Sequence, residues 1–299
     1  VVAHGGRTGL VQSSITTERD VIVSLERMNV IEEVDEIGRT MTVQAGVPLQ
    51  QLQATADEKG LFFPVDLGAR GSCQIGGNVS TNAGGNRVIR FGMMRDNILG
   101  IEAVLADGTV ISSLNKMIKN NAGYDLKQLF IGTEGTLGIV TKLVLRLREA
   151  ITAEDTAFVS FDDFDQVTSF LKYIDGALGG TLSAFEVLWH DYFDLVITAP
   201  ATNKPPVEPD KPFYAIVESL GSVAGKEHFE AIMIKALKDG LIADAAVDHP
   251  LRTAPRCPSS AQILEYGFIL ECGLFYNVLE TFGEETHLAG SEGLRAVVE

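Results

Sequence analysis

The residues best suited to chemistry in this 299-residue chain are glycines, 30 in all, most of them in the first half and many in four dense groups. The groups are HGGRTGL (4–10), DLGARGS (66–72), IGGNVSTNAGG (75–85) and GTEGTLG (132–138). Glycine serves where a backbone approaches a ligand closely or takes a positive φ, because a Cβ would collide there. Successive N–H groups in such turns form a nest for phosphate oxygens that needs no positive net charge. None of the four groups is a GxxxxGK P-loop, and none is a GxGxxG following a strand, so the two commonest single-loop phosphate sites are excluded. The pattern predicts a diphosphate wrapped by several loops rather than seated on one helix N-terminus. In the third group Asn78, Ser80, Thr81 and Asn82 interleave with Gly76, Gly77, Gly84 and Gly85. Side-chain donors thus stand beside main-chain donors, and the N–H groups of those four glycines are expected to face phosphate oxygens. His4, beside two glycines, reads as a structural residue rather than a base. Glu134 reads as an acceptor of hydrogen bonds from loop N–H groups or from ligand hydroxyls such as those of a ribose.

These groups need elements to hold them. Asp20–Leu25 and Thr40–Gln44 read as strands, the second leading through Gly46 and Pro48 into a helix over Leu49–Lys59 that stops at Gly60. Asn97–Leu105 alternates in polarity and meets Asp107-Gly108, a hairpin signal before a strand over Thr109–Ser112, and Gly138–Leu147 is a further strand. Past Glu149 the glycine clusters end. Phe158–Phe161, Leu182–Leu188 and Phe213–Ser219 read as strands, with helices over Asp163–Gly176, Trp189–Val196 and Lys226–Asp239. The proline-rich stretch ITAPATNKPPVEPDKP is a loop. Beyond His249, HPLRTAPRCPSSA reads as loop and helix is a default for Ala261–Leu270. Two domains are expected, 1–150 and 151–299, the second a sheet covered by helices. The chain opens VVAHGG without an initiator methionine, as if inside a buried strand, so an upstream segment is expected.

Composition narrows the class. Hydrophobic residues are 45 % and charged residues 21 %, enough apolar matter for a packed core. The net charge of −16 disfavours nucleic-acid partners. Cys73, Cys257 and Cys272 are scattered and odd in number, which fits neither a disulfide framework nor a zinc site and points to a reducing compartment. No apolar run reaches the roughly 18 residues of a membrane span. A cytoplasmic protein is expected, peripheral at the inner membrane at most.

In their order and spacing the glycine groups resemble the flavin-binding domain of the vanillyl-alcohol oxidase and p-cresol methylhydroxylase superfamily, in the branch of FAD-dependent D-2-hydroxyacid dehydrogenases. Gly5, Gly6, Arg7, Thr8, Gly9 and Leu10 match its GGxTGL turn. Pro64, Asp66, Leu67, Gly68 and Ser72 match the next segment, and Ile75, Gly76, Gly77, Asn78, Asn82, Ala83, Gly84 and Gly85 the one after, with Ser80 and Thr81 between them counted with the cofactor-binding residues. The resemblance continues through RFGMMRDNILGIEAVLADGT to Glu134, Gly135, Gly138 and Ile139, the loop along the cofactor's adenosine side. It implies an α+β fold: a two-subdomain FAD-binding domain followed by an α/β cap domain that covers the substrate. It further implies FAD as cofactor and a 2-hydroxy acid such as lactate, glycolate or 2-hydroxyglutarate as substrate. A quinone, a cytochrome or an electron-transfer flavoprotein would take the electrons, and a homodimer is compatible.

Three departures stand beside the matches. The family's preceding strand and helix are not in this sequence, and Gln12 and Ser13 replace small glycines after the first turn. The family's Gly-Asp-Gly-Asn-x-His segment, with the histidines and glutamate that bind a divalent metal in its metal-dependent members, is not found either. His287 lacks that glycine-rich flank. No catalytic residue is assigned, and slow turnover is expected of the chain as it stands. Two further readings stay open: a flavin-binding module without its own catalytic residues, and a nucleotide-binding domain without flavin.

Overall fold

The computed structural model describes residues 1–11, 13–198, 205–221 and 226–248. The expectations at Gln12, His287, Cys257, Cys272, the loop from His249 and the helix over 261–270 lie outside these residues, as does part of the proline-rich stretch.

Two short strands, β1 (Val2–His4) and β2 (Ile22–Ser24), pair in parallel with Val2 opposite Ile22. Burial along β1 rises toward His4, and Val1 is 81 % exposed rather than part of a buried strand. A hairpin follows, β3 (Ile31–Asp35) and β4 (Thr40–Gln44), and then α1 (Leu49–Glu58), which ends as Lys59 and Gly60 close the last turn. α1 buries Leu49, Leu52 and Ala56, a stripe at helical spacing. After β5 (Leu61–Phe62) come two short helices, α2 (Ile75–Ser80) and α3 (Val88–Phe91). Next are β6 (Ile98–Val104), β7 (Val110–Ser113) and β8 (Ile139–Arg146), and β9 (Arg148–Glu149) pairs back onto β5.

β3, β4, β8, β6 and β7 lie in that order in one antiparallel sheet. Its inner face supplies Met41, Val43, Ile101, Ala103, Leu143 and Leu145 to a core shared with α1 and with Ile75 and Val79 of α2. The third glycine group is therefore not wholly loop. Ile75 and Val79 sit one helical turn apart against the sheet, and that burial outweighs the roughly 1 kcal/mol cost of each glycine in a helix.

The second half builds its own sheet. β10 (Ala153–Phe161), α4 (Phe164–Leu178), β11 (Leu182–Trp189), α5 (His190–Ile197), β12 (Phe213–Gly221), α6 (Lys226–Lys238) and β13 (Asp244–Asp248) follow in chain order. The strands are antiparallel, ordered β11, β12, β10, β13. One face packs Ala157, Val159, Phe161, Ala215 and Val217 against Phe170 and Ile174 of α4 and Phe229 and Met233 of α6. The Asp163 side chain caps α4 by accepting from the Gln166 N–H at 2.8 Å. That helix passes Gly176, its expected end, and stops at Gly179 in the left-handed region, because Ile174 and Leu178 keep an apolar stripe on the core. The other face carries Phe158, Leu188 and Tyr214, covered in part by Phe193 of α5.

Candidate functional site

All four glycine groups meet in one groove of about 1810 Å³. Gly5, Gly6, Arg7, Thr8, Gly9 and Leu10 line it from the first group, Leu67, Gly68 and Ser72 from the second. Gly76, Gly77, Asn78, Ser80, Thr81, Ala83 and Gly85 come from the third, and Glu134, Gly135, Gly138 and Ile139 from the fourth. Pro64, Asp66, Ile75, Asn82 and Gly84 stand behind this wall. Pro64 is buried and Ile75 is in the core. The Asn82 Oδ1 accepts from the Arg95 N–H at 3.0 Å, and Gly84 packs near Val88.

The glycines serve two different purposes. A Cβ on Gly6 would fall 2.0 Å from the Ser72 carbonyl oxygen, one on Gly76 2.6 Å from the Ala45 Cβ, and one on Gly85, at φ +81°, 2.0 Å from the Asp66 oxygen. These three let one stretch of backbone lie on another. Gly77 differs, since a Cβ there would meet nothing within 4 Å and would project into open space. The N–H groups divide likewise. Gly76 donates to the Ala45 oxygen at 2.7 Å, so it is not directed at a ligand as expected, and Ile75 donates to Val47 at 2.9 Å. Gly77 is left without a main-chain acceptor among the described residues.

Side chains in this wall also depart from expectation. Ser80 Oγ donates to the Gly76 oxygen at 2.8 Å and Thr81 Oγ1 to the Gly77 oxygen at 3.0 Å, so these hydroxyls spend their protons on α2 itself. The Glu134 carboxylate accepts from no loop N–H among the described residues. Its own N–H donates to the Ser80 oxygen at 2.8 Å, with the residue held at φ +53°. Arg7 at φ 55° and Asn82 at φ 49° share that sparsely populated conformation, which costs of order 1–3 kcal/mol per residue. His4 is buried with Nε2 2.9 Å from the Ser14 oxygen, as a structural histidine should be.

Sequence reasoning missed two features. The first is Gln74, which lines the groove beside Gly5 and whose Oε1 is buried without a partner, as is the Asn78 Oδ1. Its place directly before Ile75-Gly76-Gly77 was the available signal. The second is a buried ionic network. Arg87, 5 % exposed, donates from Nε and Nη2 to both oxygens of Glu218 on β12 at 2.9 and 2.7 Å. Its guanidinium also lies 3.7 Å from Glu154 and 3.5 Å from Asp66, which in turn accepts from Arg70 at 3.0 Å. Ser183 Oγ donates to Glu218 at 2.8 Å. Arg90 donates to the Thr181 and Leu220 oxygens. The segment behind the groove is thereby bolted to the second sheet.

Burial works against the Glu218 charge, but Arg87 outweighs it and holds the carboxyl below the ordinary glutamate value of 4.5. A depressed native pKa means stability that is present above 4.5 and lost as pH falls through the lower native value. The unfolding midpoint should therefore drop steeply below pH 4.5, and less steeply in Glu218→Gln; thermal melts between pH 6 and 3 showing parallel slopes for both proteins would contradict this assignment.

Residues 1–113 match the family model described as an FAD binding domain. The fold agrees with a solved alkyldihydroxyacetonephosphate synthase at a TM-score of 0.67 and 19 % identity, covering 90 % of this chain and 52 % of that one. In sequence the chain is similar to proteins named as D-2-hydroxyglutarate and D-lactate dehydrogenases. It is 41 % identical over 256 residues to a mitochondrial D-2-hydroxyglutarate dehydrogenase of Arabidopsis thaliana, covering 85 % of this chain and 46 % of that protein. The corresponding Rattus norvegicus enzyme is 40 % identical over 246 residues, with coverages of 82 % and 46 %. A mitochondrial Schizosaccharomyces pombe protein named for D-lactate dehydrogenase is 39 % identical over 251 residues, with coverages of 83 % and 47 %. The chain spans about half the length of these relatives. Their mitochondrial names overturn the cytoplasmic expectation. Cysteine spacing separates oxidising from reducing compartments and does not choose among the latter.

Proposed function

We propose that the groove holds FAD and that the protein oxidises a D-2-hydroxy acid to the 2-oxo acid, with a quinone, a cytochrome or an electron-transfer flavoprotein as final acceptor. The observation that carries this reading is the convergence on one groove of four glycine groups drawn from three separate stretches of sequence, together with relatives named for such dehydrogenases. The residues fit the cofactor. Gly77 leaves open the space a side chain would fill, and the first-group turn lines the same groove, suiting a diphosphate. The buried, unpartnered Gln74 Oε1 and Asn78 Oδ1 are acceptors and suit ligand hydroxyl or N–H donors instead. When bound, FAD supplies a two-electron acceptor; the chain's part is to orient it and exclude water. The β10–β13 sheet is assigned the role of cap over the substrate. Among the described residues no group of three His, Cys, Asp or Glu side chains converges to hold a metal, and no step is assigned to one.

The test is a single-turnover experiment, which tolerates slow catalysis. FAD-loaded protein mixed anaerobically with D-2-hydroxyglutarate, D-lactate or glycolate should lose its oxidised-flavin absorbance while one equivalent of 2-oxo acid forms. Flavin that binds but is reduced by none of them would overturn the enzymatic assignment.

A further inference from the structure

Of the described residues lining the groove, one comes from the second sheet: Glu186 on β11. Its neighbours Phe185 and Val187 pack toward α4 and α6, so strand alternation turns Glu186 to the opposite face, with Leu188. That is the face on which Glu218 meets Arg87. Glu218 pairs in register with Ala184, and Glu186 with Ile216, placing Glu186 about 7 Å along the strand from Ala184. Glu218 and Glu154 are committed to Arg87, whereas Glu186 has no hydrogen-bond or ion-pair partner among the described residues. Its side chain is exposed where it lines the groove, and partial desolvation there pushes its carboxyl above the ordinary value.

Resting on the FAD and 2-hydroxy-acid reading above, we infer that Glu186 accepts a hydrogen bond from a hydroxyl of the molecule bound in the groove. A carboxyl oxygen facing a site built for an anionic acid repels a carboxylate and attracts an O–H, so the hydroxyl is the group it selects. The reading offers two hydroxyl sources, the cofactor, through its ribityl chain or adenosine ribose, and the 2-hydroxyl of the substrate. Either way, Glu186 is the contact through which the second sheet senses what the glycine loops hold.

The experiment compares Glu186→Leu and Glu186→Gln with the unmodified protein in two arms. The first measures the FAD dissociation constant by flavin fluorescence. The second mixes FAD-loaded protein anaerobically with D-2-hydroxyglutarate, taking the dissociation constant from the concentration dependence of the flavin-reduction rate, and separately titrates it with 2-oxoglutarate, following the visible spectrum. Removing a hydrogen bond to a charged acceptor should weaken binding about tenfold or more in the leucine variant, with glutamine between. A cofactor partner appears as weaker FAD binding. A substrate partner appears as weaker binding of the hydroxy acid with the oxo acid unaffected. Equal affinities in both arms, or equal losses for hydroxy and oxo acid with FAD binding unchanged, would overturn the inference while leaving the proposed function intact. An unmodified protein that binds no FAD would remove both.

Discussion

Replacing Arg87 with methionine is expected to cost about 3–5 kcal/mol of stability, the usual result of leaving buried charge without its counter-ion. Three carboxylates, Asp66, Glu154 and Glu218, surround the guanidinium, and Glu218 takes two charge-assisted hydrogen bonds from it. Methionine fills much of the volume and answers none of the charge. Urea denaturation should show the lowered midpoint. The double variant Arg87→Met with Glu218→Leu should recover part of the loss, because an apolar pair removes the largest unpaired charge along with its partner. A single variant within about 1 kcal/mol of the unmodified protein would show that the network carries little of the fold.

Gly77→Val is expected to raise the FAD dissociation constant at least about a hundredfold, or roughly 2.7 kcal/mol, while leaving the ligand-free fold close to unchanged. A Cβ at Gly77 meets nothing within 4 Å beyond its own helix backbone and chain neighbours, so the branched side chain would stand in the groove and deny its space to the ligand. Gly85→Ala provides the contrast. There the new Cβ would lie 2.0 Å from the Asp66 oxygen on a backbone at φ +81°, and the loss should fall on folding before binding. Titration of flavin fluorescence together with thermal melts separates the two. A valine variant that binds FAD as tightly as the unmodified protein would remove Gly77 from the site.

Local signals were legible in the sequence wherever one residue type imposes one geometry. Thr40–Gln44 and the helix from Leu49 are found where alternation, Pro48 and Gly60 place them, and the Asp107-Gly108 turn joins β6 to β7 as expected. The convergence of the glycine groups was legible too, because four close-approach signals within 140 residues have few independent explanations. What failed was anything set by contacts at a distance. The Ile75–Ser80 segment looks like a loop by glycine content, and only the sheet under Ile75 and Val79 makes it helical. Gly76 looks like a phosphate ligand until Ala45 is seen taking its N–H. Arg87 and Glu218 are 131 residues apart, and no local pattern pairs them. β3 escaped notice because its IEEVD sequence carries two adjacent exposed glutamates and alternates poorly.

The three backbone contacts at Gly6, Gly76 and Gly85 also bear on how fast a ligand arrives. Because each presses one stretch of main chain directly on another, the walls of the groove are shaped by the protein's own packing, and an incoming nucleotide has little loop entropy to remove. Association is then governed by diffusion and orientation, and a change of affinity at this site should be written mainly in the residence time.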